Sequence, residues 1–345
     1  MSNGAQNRKI GVVSFNNEVT VYGDGGQDPM TIAGDKLYDQ EYLMTNGAQQ
    51  GQERMKLVVK DSAKELQKKI MSMEETGPTA LGPAVATSIA MAAASGVQGS
   101  QVVICTDGLA NVGLGSFDEA KTDDDFAAIE KFYTTLGEFA KEKGLTINII
   151  SIIGDDCNLD ALSKLAEMTN GEIERVNPID LTNNFANILS QPIIASNVVA
   201  KVKLHKGMTF RNEDPTHLSD DGTLMTREIG NVTADTEITF EYTMKKISEL
   251  VKMEDFDLTK VKELPFQVQI TYKALDGSKC IRVITEKQKI SNEREQLEKQ
   301  ADFNILGQNA IQQSANIGRS GNVRFAQANA KQWKRKMGAM AKDQN

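Results

Sequence analysis

Strands that alternate with helices constrain this chain more than any other feature. A strand at 101–106 ("QVVICT"), with the apolar run Val102, Val103, Ile104 and Cys105, leads straight into Asp107-Gly108. A second strand, "LTINIISII" at 145–153, follows a helical segment at 123–143 that Gly144 stops. A helix at 159–169 closes on Asn170-Gly171, and then come a short strand, "EIERV", and a helix at 181–191. This order implies parallel β-α-β units.

Upstream, residues 9–22 read as a hairpin, with "KIGVVSF" and "EVTVY" joined at Asn16-Asn17. Residues 30–52 are polar and read as loop with short elements. Residues 53–73 have helical periodicity, with Met55, Val58 or Val59, Leu66 and Ile70 on one face. The loop "EETGPTALGPAV" opens a helix that has Pro83 near its first turn and runs to about Ala94.

The pattern changes near Pro192. Short alternating segments with turn signals between them continue to about 290, the mark of an antiparallel sandwich. A charged stretch at 246–263 interrupts it, as an inserted helix or an exposed loop. From Ser291 onward the chain reads as two polar helices broken at 318–321. The expected fold class is α/β, divided into an α/β domain at 1–192, a β-sandwich at 193–290 and a helical region at 291–345.

Composition excludes several classes. The net charge of -8 argues against a general nucleic-acid role. The apolar runs fall short of the ~20 residues of a membrane span, and "MSNGAQNRK" lacks a signal-peptide core. Cys105, Cys157 and Cys280 lie far apart, and His205 and His217 have no metal-ligand spacing. A reducing, cytoplasmic setting is therefore expected, without disulfides or zinc. No phosphate-binding GxxxxGK[ST] loop is present, and "GLANVGLG" does not match a dinucleotide fingerprint.

In an open parallel sheet, ligands gather at the carboxyl ends of the strands, where Asp107 falls. Thr79, in the glycine-flanked "TGPTALG", is a second oxygen donor in a loop before a helix. Hard cations such as Mg²⁺ take such oxygen ligands and keep several waters. Each residue also has a plainer reading: Thr79 as a helix N-terminal cap, Asp107 as half of an Asp-Gly turn, and Asn111 as a partner for loop backbone. Asp155 and Asp156 ("GDDCN") lack a base or nucleophile at suggestive spacing, which argues against a hydrolytic site.

Together, "TGPTALGPA" and "VVICTDGLANVG" resemble the second and third ligand loops of a von Willebrand factor type A (VWA) domain. The order of elements over 9–191 fits as well. The resemblance implies a Rossmann-like fold and a metal-ion-dependent adhesion site. Thr79 and Asp107 would be its metal ligands, with Gly77, Gly108 and Asn111 supporting them. The family's first ligand loop, Asp-x-Ser-x-Ser after the first central strand, has no counterpart here. The sequence thus corresponds to the family from its second strand onward. Three resolutions are open: a longer chain of which this is a fragment, a strand donated by another polypeptide, or direct closure of the sheet. The first two are favoured, since either supplies both the strand and the missing serines.

A VWA domain followed by a sandwich and helices also resembles the trunk of inner COPII coat subunits and the VWA region of circularly permuted Ras-like proteins. The implied role is a non-enzymatic scaffold subunit of a large assembly, binding protein partners through a degenerate or incomplete metal site, with Mg²⁺ as the candidate ion. The rival is a piece of a GTPase- or ATPase-linked complex with catalysis elsewhere. Trp333, Lys334, Arg335 and Lys336 form a basic tail that reads either as a solvated helix end or as an anchor for an acidic filament or membrane surface. Coat or cytoskeletal association is the expectation.

Overall fold

The structure is a computed structural model that describes residues 7–74, 77–107, 110–118, 120–152, 159–253, 261–291, 293, 301–319 and 322–343. The chain divides into two compact units. The first comprises Met1–Val198, Ile229–Asp235 and Tyr272–Cys280; the second comprises Val199–Glu228, Thr236–Thr271 and Ile281–Asn345.

The first unit holds two three-stranded sheets. β1 (Val12–Phe15), β2 (Val19–Gly23) and β3 (Met30–Ile32) form an antiparallel sheet in that order. β4 (Gln101–Thr106), β5 (Thr146–Ile152) and β6 (Ile173–Val176) form a parallel one. β5 is buried over six of its seven positions, as expected of a central parallel strand.

The helices follow from their caps and apolar faces. α1 (Gln40–Arg54), α2 (Val59–Met71) and α3 (Leu81–Ala94) precede β4. α4 (Asp123–Glu142) opens on a capping box: Thr122 Oγ1 accepts from the Asp125 N–H at 3.2 Å, and Asp125 Oδ2 accepts from the Thr122 N–H at 2.9 Å. α5 (Leu159–Thr169) and α6 (Leu181–Ser190) complete the unit. A single core joins residues of both sheets, among them Val19, Ile104 and Ile149, to α1, α3, α4 and α5. α6 covers the opposite face of the parallel sheet through Ile188, packed with Ile150 and Val176.

Two segments differ from the sequence reading. The polar stretch at 30–52 holds β3 and most of the 15-residue α1. That helix shows little apolar periodicity because it packs through small residues. A Cβ at Gly47 would lie 2.7 Å from the Thr87 carbonyl oxygen, and one at Gly51 would lie 2.5 Å from that of Met91, so only glycine lets α1 approach α3 this closely. The helix expected over 53–73 is interrupted. Met55 and Val58 lie in the break between α1 and α2, and Ile70 is exposed. Asp24 organises that break: its carboxylate accepts from the N–H groups of Gly26, Lys56 and Leu57 at 2.8–2.9 Å.

The remaining strands are β7 (Ala195–Leu204), β8 (Met208–Phe210), β9 (Leu224–Val232), β10 (Tyr242–Met244), β11 (Glu263–Lys273) and β12 (Lys279–Lys289). They form a four-stranded sheet of order β12-β11-β7-β9 and a two-stranded sheet of β10 and β8. In the second unit, Val202, Leu204, Phe210, Met225 and Leu264 share a core with Phe240 and Phe266. Of the alternating segment at 236–246, "TEITFEYTMKK", only Tyr242–Met244 forms a ladder. The charged interruption contains the short α7 (Ile247–Leu250), and residues 254–260 lie outside the described residues. α8 (Phe303–Arg319) and α9 (Val323–Asp343) pack against each other.

Candidate functional site at the carboxyl ends of β1 and β4

The loop at 77–80 joins the two sheets of the first unit. On one side, the Ala80 N–H donates to the Asn16 carbonyl, just past β1, at 2.6 Å. On the other, the Thr79 carbonyl accepts from the N–H groups of Asn111 at 3.1 Å and Val112 at 3.3 Å, in the segment after β4. The Asn111 side chain completes the clasp, since its Oδ1 accepts from the Thr79 N–H. The segments that follow the carboxyl ends of β1 and β4 therefore meet at one loop.

Each residue singled out from sequence can be placed. Thr79 is half-buried and bound to Asn111 through backbone and side chain. Asn111 therefore satisfies loop backbone, the plainer of its two readings. Gly77 has φ +71°, a left-handed conformation that glycine adopts without strain. Asp107 follows the last residue of β4 and is exposed. Its charge reaches the half-buried Cys105, whose thiol pKa is raised by burial first and by the Asp107 carboxylate second. Gly108, Asp155, Asp156 and Cys157 lie outside the described residues.

The donor set is small for a cation. Thr79 and Asp107 supply one hydroxyl and one carboxylate, and among the described residues no group of three His, Cys, Asp or Glu could hold a metal ion. A Mg²⁺ ion prefers six oxygens in near-octahedral geometry. These two donors alone would leave most of those positions unfilled.

Composition could not reveal the arrangement of the sheets. β1 is one end of the antiparallel sheet and β4 is one end of the parallel sheet. Among the described residues neither open edge has a ladder partner, so direct closure between 12–15 and 101–106 does not occur. α3 packs on both strands, and one core runs beneath it from Val13 and Phe15 to Val102 and Ile104.

In the tail, Trp333 is half-buried on the line of α9 that faces α8, with Lys336 Nζ 4.9 Å from its ring centroid. Lys334, Arg335 and Lys336 are exposed. Trp333 thus shares the helical line of Asn329 and Met337, which meet α8, while the cations are exposed. Among the described residues no helix is long and apolar enough to cross a membrane.

Comparison with known proteins agrees with this architecture. Circularly permutated Ras protein 1 of Dictyostelium discoideum is 31% identical over 315 residues, covering 90% of this chain and 35% of that protein. The chain therefore spans about a third of that relative's length. Among solved structures, the human COPII-coat protein Sec24c aligns with a TM-score of 0.62 at 13% identity, over 100% of this chain and 46% of that one. A von Willebrand factor type A protein from Catenulispora acidiphila aligns with a TM-score of 0.50 at 15% identity, over 96% and 71%. The model of the Sec23/Sec24 trunk domain matches residues 1–191, and the chain belongs to that family.

Proposed function

We propose that this chain is a non-enzymatic scaffold of a larger assembly, and that a β-strand from outside these residues completes its split sheet. The observation that carries the reading is the pair of open edges, β1 and β4, lying under one helix and ending on one loop. Unpaired backbone groups at such edges are costly, and a parallel strand between them would satisfy both. The Thr79 and Asp107 loops would then form the rim that meets a protein partner. Mg²⁺ would be held there only with oxygen ligands from the completing segment, and a carboxylate of the partner would fill the remaining position. The family match supports an intracellular, coat-like setting.

The test uses a synthetic peptide of five apolar residues followed by Asp-Gly-Ser-Gly-Ser, added to the full chain with and without Mg²⁺. Binding at 100 times Kd should raise stability by about 2.7 kcal/mol and protect amides of β1 and β4 from hydrogen exchange. A proline-interrupted peptide should do neither. Equal effects of the two peptides, or edge amides of β4 already as protected as those of β5, would refute strand completion. Mg²⁺ dependence that survives Asp107→Ala would refute the metal assignment.

A second reading is favoured by the Dictyostelium relative, whose name denotes a circularly permutated Ras protein and of which this chain covers 35%. Here the chain is the non-catalytic module of a nucleotide-hydrolysing protein. Both readings expect no GTP or ATP hydrolysis by these residues alone, and measurable turnover would overturn both.

A further inference from the structure

α9 concentrates positive charge on an acidic chain. It carries Arg324, Lys331, Lys334, Arg335, Lys336 and Lys342 against one acid, Asp343, while the whole chain has net charge -8. One line of the helix is taken up by α8. A Cβ at Gly318 would touch Ala326 at 3.8 Å, Asn329 Nδ2 donates to Ser314 Oγ at 3.2 Å, and a Cβ at Gly307 would lie 3.4 Å from Met337. Trp333 continues this line at helical spacing.

At about 100° per residue, Arg324, Lys331 and Arg335 fall within about 40° of one another, on the side opposite the α8 seam. All three are exposed, and among the described residues none forms an ion pair. The row is about 17 Å long at 1.5 Å per residue. Ala328 is beside them on this face, and Lys334 lies about 80° to one side of Arg324. Phe325, 60% exposed, stands beside the N-terminal end of the row.

The platform beneath is anchored. On α8, Gln312 Oε1 accepts from the Thr239 N–H at 3.0 Å and from its hydroxyl at 2.9 Å, and Gln312 Nε2 donates to the Glu237 carbonyl at 3.0 Å. Gln313 Nε2 donates to the Asn212 carbonyl at 3.1 Å. α9 is thus presented on a helix that is itself bonded to the strand-linking segments of the second unit.

We propose that the outer face of α9 docks an acidic helix of a protein partner, with carboxylates spaced to match Arg324, Lys331 and Arg335 and an apolar residue over Phe325. The array is straight and one helix wide, which matches a helix and not a plane. It has no large apolar side chain along its centre, whereas a helix lying in a bilayer needs an apolar face, and the apolar line of α9 is spent on α8. The acidic balance of the whole chain also opposes an extended polyanion such as a bilayer or nucleic acid. A single helix with a local acidic row meets neither objection.

The experiment uses the full 345-residue chain. The probes are a helical peptide with glutamates on one face at spacings of four and seven, a peptide of the same composition with those glutamates dispersed, phosphatidylserine vesicles and duplex RNA. The patterned peptide should bind at least tenfold tighter than the dispersed one and weaken with salt. The R324E/K331E/R335E variant should lose that binding and gain binding to a lysine-patterned peptide, which also shows that the variant is folded. The proposal is overturned by equal binding of the two acidic peptides, by no binding of either at low salt, by unchanged binding of the variant, or by tighter binding to vesicles or RNA.

Discussion

Gly82→Ala tests whether the first turn of α3 and the segment after β4 form one fitted unit. A methyl group at Gly82 would sit 1.9 Å from the Leu114 carbonyl oxygen. The closest ordinary carbon–oxygen approach is about 3.3 Å, so α3 or the 110–118 segment must move by about 1.4 Å. That segment is held on both sides: the Leu114 N–H donates to the Leu37 carbonyl at 3.1 Å, and Asn111 clasps Thr79. Forcing such a shift costs about 1–3 kcal/mol, against a helix-propensity gain of less than about 1 kcal/mol for alanine. The expected result is a loss of about 1–2 kcal/mol in urea denaturation, with faster hydrogen exchange at the Thr79 N–H. Gly338→Ala is the control, because a Cβ there has no neighbour within 4 Å. It should stabilise by about 0.5–1 kcal/mol. A Gly82→Ala protein as stable as its parent, with the Thr79 amide equally protected, would refute the close fit.

Asp24 is buried. Burial pushes its pKa up, but the Leu57, Gly26 and Lys56 N–H groups outweigh this and hold it below the usual carboxylate range. A lowered folded pKa gives stability that is present above about pH 4 and lost as pH falls through the folded value. Asp24→Asn should therefore cost about 2–3 kcal/mol at neutral pH, and the gap to the parent should close in acid unfolding curves below about pH 4. Arg227 donates to the Thr239 carbonyl at 2.8 Å and pairs with Glu213, whose side chain is 2% exposed. Arg227→Met leaves that carboxylate without its cation and should cost about 3–5 kcal/mol by denaturant titration. Asp107→Asn removes a charge that helps hold the Cys105 thiol protonated, so alkylation of Cys105 near pH 8 should become faster. An unchanged rate would place the Asp107 charge elsewhere.

Much of the fold could be read from the sequence because its signals are local. The apolar runs of β4 and β5, the Thr122 cap of α4, and Asn170 at φ 55° closing α5 depend on near neighbours only. α1 escaped notice because its packing face is made of Gly47 and Gly51, whose meaning depends on α3 some 40 residues later. The break before α2 escaped for a similar reason: the acceptor for the Lys56 and Leu57 amides is Asp24, 32 and 33 residues away. At the tail, composition gave the cations of α9 but not which line of that helix meets α8, since the contacts of Asn329 and Met337 lie in the partner helix.

The candidate site divides along the same line. Thr79 and Asn111 could be picked out singly, but their mutual hydrogen bonds belong to the tertiary structure. The same bonds bear on why the sheet stays open. Strands that pair directly lie about 4.8 Å apart, and β1 and β4 do not pair. Here the loop at 77–80 grips Asn16 with one residue and Asn111 with the one before it, so it bridges the segments that follow the two strands. α3 packs on both of these strands. Collapse of β1 onto β4 would break the Thr79 clasp and unseat the buried face of α3 from Leu81 to Met91. The contacts of α3 and of the 77–80 loop thus bear on both open edges, and the proposed completing strand would meet them at the end where Asn111 clasps Thr79.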